Sequence, residues 1–102
     1  MTKADRRRKF KEEVFKRDHY TCQVCHNTRE PMDLDAHHIT DRHEMPNGGY
    51  TPLNGITVCK VKCHMMVEQY HLTAGDYWEE GLHPNDLYRM IGSSYEAAFL
   101  DS

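Results

Sequence analysis

The sequence predicts a small α+β domain: a short two-stranded ribbon and a helix built around a four-cysteine zinc site, with a basic helix in front and a helical extension behind. Three observations predict it. The chain has 102 residues, room for one domain and little more. It holds four Cys in two close pairs, and eight His. Its apolar residues recur at helical spacing near both ends and alternate in the middle. Hydrophobic residues are only 38%, charged residues 28%, and mean hydropathy is -0.85. A chain this short and polar buries a marginal core and needs a disulfide or metal staple.

Residues 3–18 read as a helix, with Phe10, Val14 and Phe15 as a narrow apolar stripe and Thr2 as its cap. Three apolar side chains cannot hold a helix alone, so the stripe must dock on the rest of the domain. After the first Cys pair comes a turn over 27–31. Residues 32–36 (Met-Asp-Leu-Asp-Ala) alternate as a half-buried strand does. Residues 40–53 read as a loop punctuated by Pro46, Gly48, Gly49 and Pro52. The β-branched 56–58 reads as a second strand. Residues 63–71 lack Gly and Pro and read as a helix. Pro84 opens another, with Leu87, Met90 and Ile91 on one face, and Ser94 caps a last turn over 95–100. The expected organisation is a single domain over 1–102: a basic helix (1–18), a core (19–71) and an acidic, partly helical extension (72–102).

No run of 18 apolar residues is present, which excludes a membrane-spanning helix. The basic N-terminus has no apolar stretch behind it, so no secretory signal is expected. Disulfides are then disfavoured and the Cys residues read as metal ligands. The expected location is cytoplasmic, nucleoid- or phage-associated, with no membrane partner. Charge is uneven. Residues 1–17 carry eight Lys/Arg against three acidic residues, whereas 72–102 carry six acidic residues against Arg89 alone. A basic head points to a polyanion contact, or else to a solvated helix face.

Cys22-x-x-Cys25 and Cys59-x-x-x-Cys63 are separated by 33 residues. Each tight pair turns two sulfurs inward, and two pairs complete a tetrahedral site that suits Zn²⁺. The spacing leaves open whether Cys63 or the adjacent His64 supplies the fourth ligand. A closed site of this kind is structural, and its binding energy is folding energy. Between the pairs lies Asp35-Ala36-His37-His38-Ile39, and Asn54 precedes the second strand. On a strand His37 and His38 point to opposite faces. Either one ligates a cation while the other titrates as a general base, or both are surface residues or additional zinc ligands.

The order C-x-x-C, D-x-H-H-I, N-G-I-x-V-C and C-H resembles the HNH endonuclease family, in its zinc-ribbon branch with the ββα-metal fold. The resemblance covers about residues 10–71. It implies a two-stranded antiparallel ribbon packed on a helix with one divalent cation between them. It implies His37 and His64 as cation ligands, and His38 as the base that activates water. Asn54 is implied to brace the loop and orient the base by hydrogen bonding. Asp35 is implied to orient His64 or contact the metal. Some family members carry another His one turn beyond the third signature residue. Here that position is Glu68, a further candidate ligand or a solvent-facing carboxylate, the second being favoured. His71 is a weaker candidate, and His43 reads as a bystander in the loop.

The activity implied is metal-assisted hydrolysis of DNA, one strand nicked per site, with Mn²⁺ or Mg²⁺ favoured and Ni²⁺ or Zn²⁺ admitted by affinity. Contacts to duplex DNA are expected from Arg6, Arg7, Arg8, Lys9, Lys11, Lys16, Arg17, Arg42, Lys60 and Lys62, with Arg29 also available. These are phosphate-directed, so specificity is expected to be weak. A monomer is expected. The rival reading is a zinc-ribbon nucleic-acid-binding module without catalysis. It accounts for the Cys residues and the basic head but not for Asp35, His37, His38, Asn54 and His64. The extension either docks a partner, forms a dimer, or covers its own core.

Overall fold

In the computed structural model, which describes residues 1–102, helix α1 covers Lys3–Arg17. Thr2 accepts from the Asp5 N–H and Asp5 accepts from the Thr2 N–H, so two of the four free donors of the first turn are used. Phe10, Val14 and Phe15 are its buried residues. They dock against strand β2 (Gly55–Cys59), which forms an antiparallel pair with β1 (Leu34–His38). The register puts Leu34 opposite Cys59 and His38 opposite Gly55. Gly55 lets the helix come close: a Cβ there would lie 2.5 Å from Val14 Cγ2 and 2.7 Å from Phe10 Cζ.

The first strand begins two residues later than the alternation of 32–36 suggests. Pro31 opens a 3-10 turn that consumes Met32 and Asp33 before pairing starts. The shift carries both histidines onto the strand itself. The expected loop over 40–53 is a chain of short 3-10 turns. Every residue of β2 is buried: α1 meets its Gly55/Thr57 face, and Ile56 and Val58 join Val67 of α2 (Cys63–Leu72) in the core.

Helices α3 (Pro84–Met90) and α4 (Tyr95–Asp101) complete the chain, capped by His83 and Ser94. The extension covers its own core, supplying Leu82, Leu87, Tyr88 and Ala98 to the cluster that holds Ile56, Val58 and Val67. No helix is long and apolar enough to cross a membrane.

Candidate active site and metal centres

The two Cys pairs meet at one point. The sulfurs of Cys22, Cys25, Cys59 and Cys63 lie within 4.8 Å of one another. Cys59 ends β2 and Cys63 opens α2, so the three intervening residues make the turn between strand and helix. Backbone N–H groups of Cys25 and Cys63 donate to the sulfurs of Cys22 and Cys59, at 3.4 and 3.3 Å. Burial, with the neighbouring sulfurs of Cys59 and Cys22, pushes the Cys63 thiol well up. Burial opposes ionisation of Cys25 as well, but hydrogen bonds from Asn27 and its neighbours bring it down to about 7. Four crowded thiols cannot all ionise without a cation among them. The cluster is positioned to bind a metal ion, and Cys63, not His64, is its fourth member.

His64 belongs to a second cluster, with His37 and Glu68, whose donor atoms also lie within 4.8 Å of one another. His37 is buried on β1, on the face toward α2. Its Nδ1 lies 2.9 Å from Glu68 Oε1, yet both its ring nitrogens are buried without a hydrogen-bond partner. Groups this close are placed so that they could share one cation. His64 Nδ1 is 2.7 Å from Asp35 Oδ2, and its Nε2 is 3.2 Å from Glu68 Oε1. Donation from Nδ1 to Asp35 leaves the Nε2 lone pair facing the cluster. The His37 and His64 imidazoles hold the Glu68 carboxyl far below its usual range, while Glu68 and Asp35 raise His64. Burial keeps His37 neutral. Two neutral-capable imidazoles and a carboxylate fit a divalent cation.

Glu68 therefore turns inward rather than to solvent. One helical turn from His64, it shares that residue's face of α2, and the burial of Cys63 and Val67 rotates this face toward β1. Replacing Glu68 by Ala is expected to weaken Mn²⁺ binding at least about 10–100-fold in a calorimetric titration. Unchanged affinity would put Glu68 outside the site.

His38 faces the other side of β1 and lines a cleft of about 240 Å³ with Arg7, Phe10, Lys11, Ala36, Arg42 and Tyr50. Phe10 stacks on its ring at 4.4 Å, and Tyr50 meets it edge-on at 5.1 Å. Burial, with the positive charge of Arg42, lowers His38 to about 4, and its Nε2 is buried without a hydrogen-bond partner. At neutral pH the ring is unprotonated. His71 Nε2 donates to the His38 carbonyl at 3.0 Å, and its ring stacks on His37 at 5.2 Å. It thus steadies the backbone just after His38 while packing on His37, a role its spacing in the sequence does not reveal. His43 is exposed.

Asn54 is fully buried and makes no hydrogen bond to His38. Its Oδ1 accepts from the Thr40 N–H at 2.9 Å and the Tyr88 hydroxyl at 2.7 Å. Its Nδ2 donates to the carbonyls of Thr40, at 3.0 Å, and Gly49, at 3.3 Å. Both donors and both lone pairs are used, so nothing is left for His38. Asn54 is a brace for the loop beyond β1. Gly49, at φ +63°, lets it in: a Cβ there would sit 2.8 Å from Asn54 Nδ2. Tyr88, which no motif marks, is the one side chain that bonds the Asn54 side chain. Tyr88→Phe is expected to cost about 1–3 kcal/mol in urea unfolding, because a buried acceptor loses its donor. A change below about 0.5 kcal/mol would show that the Thr40 amide alone satisfies Asn54.

The basic residues divide by position. Arg7, Lys11 and Arg42 line the His38 cleft. Arg6 lies over the Tyr50 ring at 6.0 Å. Arg17 leaves the set of nucleic-acid contacts: it donates to the Pro52 and Gly55 carbonyls at 2.6 and 2.7 Å and pairs with Asp18, so it locks α1 to β2. Arg8 pairs with Asp5 at the surface. Lys9, Lys16, Lys60 and Lys62 are exposed, the last two on the turn between the third and fourth Cys.

Residues 22–69 match the family model described as HNH endonuclease. That span takes in both Cys pairs, both strands and most of α2. No curated protein and no solved structure matches the chain.

Proposed function

From the premise that residues 22–69 form an HNH endonuclease domain, and so carry nuclease chemistry in general, we propose that this protein hydrolyses DNA phosphodiesters, nicking one strand per site with weak sequence specificity. The observation that carries the reading is the arrangement on β1: His37 joins His64 and Glu68 on one face, and His38 stands unprotonated in a basic cleft on the other. We propose Zn²⁺ at the four sulfurs and Mn²⁺ or Mg²⁺ at His37, His64 and Glu68.

A cation held there supplies charge stabilisation at the phosphoryl group and the leaving oxygen. The chain's own residues do the rest. His38 takes the proton of the attacking water. Phe10 and Tyr50 hold its ring in place. Burial costs His38 basicity, and an anionic phosphodiester beside it restores some. Asp35 fixes the His64 tautomer. Arg7, Lys11 and Arg42 bind backbone phosphate, which carries no sequence information. One base and one cation cluster cut one strand per event.

The test is a supercoiled-plasmid assay. The protein is freed of loosely held divalent ions by mild EDTA dialysis, its zinc content is checked, and Mg²⁺, Mn²⁺, Ca²⁺ or Zn²⁺ is added in turn. Open circles appearing before linear DNA, with Mn²⁺ or Mg²⁺, is the expected result. A gel shift without cleavage under any cation would sink the enzyme reading and leave the zinc-ribbon binding module.

A further inference from the structure

Tyr50 sits where three arginines converge. Its hydroxyl accepts from Arg7 Nε at 3.4 Å and from Arg42 Nη1 at 3.2 Å, and Arg6 lies over its ring. Arg7 comes from α1 and Arg42 from the turn after β1, so nothing in the local chain brings them together. No carboxylate lies within 4.0 Å of Arg7, Lys11 or Arg42, although Arg8, Arg17 and Arg89 each have one. Each guanidinium has five N–H groups, and Tyr50 takes one from each. The remaining forks are unpaired at the mouth of the cleft. A single hydroxyl that accepts from two like charges holds them against their repulsion, at a cost that an anion between them offsets.

The charge in this cleft exceeds what one diester needs. The scissile phosphate, with a single negative charge, must be reached by both His38 and the cation cluster on the opposite face of β1. Three further positive groups on the His38 side therefore have a second anion to bind.

We infer that Tyr50 is a positioning residue whose hydroxyl gathers Arg7 and Arg42, with Lys11, into a preformed seat for a backbone phosphate flanking the one that is cut. The nucleic-acid strand then crosses the edge of β1, from the cation cluster on the α2 face to this seat on the α1 face. Burial disfavours ionisation of the Tyr50 phenol, and the two arginine hydrogen bonds outweigh it, holding the group below its usual range. That is what a strongly engaged acceptor shows. The seat rests on the proposed action on DNA but not on catalysis itself, so binding can test it alone.

The test uses the full zinc-loaded chain with no added divalent cation and a fluorescent duplex oligonucleotide, read by anisotropy across a salt series. Tyr50→Phe keeps the ring against Phe10 and His38 and removes only the acceptor. The expected result is a Kd raised about 3–10-fold and a slope of log K against log salt shallower by about 0.9, one phosphate contact. Arg42→Gln is expected to do the same, and the double variant to fall short of the product of the two single effects, because the hydroxyl acts through the arginine. A merely structural hydroxyl would lower the melting temperature and leave the salt slope alone. An unchanged slope in Tyr50→Phe, or fully multiplicative effects in the double variant, overturns the seat. Failure of the plasmid assay with these binding results intact overturns the nuclease reading and leaves the seat standing.

Discussion

Replacing His38 by Ala is expected to lower plasmid nicking by about 10²–10⁴-fold while the protein stays folded and still binds DNA. The magnitude is that of a lost general base. His38 is the one imidazole in the basic cleft, and it stands apart from the cation cluster, so removing it leaves His37, His64 and Glu68 in place. The pH profile provides the internal check. His38 lies at about 4, below its usual value, so its base form persists as pH falls from neutral to that point. His64 is raised, so its proton competes with the cation from above the ordinary histidine value downward. At low Mn²⁺ the acid limb is therefore expected to follow His64, and saturating Mn²⁺ should move it toward lower pH. Full activity in His38→Ala would mean that another group takes the proton.

Removing the metal at the four sulfurs is expected to unfold the chain. Binding there contributes about 10–16 kcal/mol at neutral pH in comparable small sites. A domain of this size is stable by about 5–15 kcal/mol in total. Cys22, Cys59 and Cys63 are also members of the hydrophobic cluster, so the site and the core are one object. A strong chelator, or Cys22→Ser, should abolish the cooperative thermal transition and the helical circular dichroism, and Zn²⁺ should restore both to the chelated wild type. A chelated protein that keeps its transition would show that the core stands without the sulfurs.

Much of this fold is legible in the sequence because it rests on local rules. Ligand spacing in a knuckle is set by turn geometry, so both Cys pairs can be read directly. The caps at Thr2 and Ser94 obey the same logic. The features that escape a sequence reading depend on tertiary contacts. The inward turn of Glu68 is set by how α2 rolls against β1, which its own ten residues do not specify. Asn54 has the residue type expected of a brace, but its partner Tyr88 lies 34 positions away with no signal linking them. Arg17 is different, because its position carries a signal. It lies three residues beyond Val14, on the same face as the buried stripe, and a cation on a docking face bonds carbonyls rather than DNA. Arg7, three residues before Phe10, borders that face at the open end, where the cleft is.

Tyr88 and its neighbours also make the family-matched segment incomplete by itself. The segment matched by the family ends at residue 69, but the core is completed by Leu82, Leu87, Tyr88 and Ala98. All four are translated after both Cys pairs, both strands and α2. Cut off after residue 69, the chain would lack four of the twelve side chains of that cluster and the Tyr88 hydroxyl that bonds Asn54.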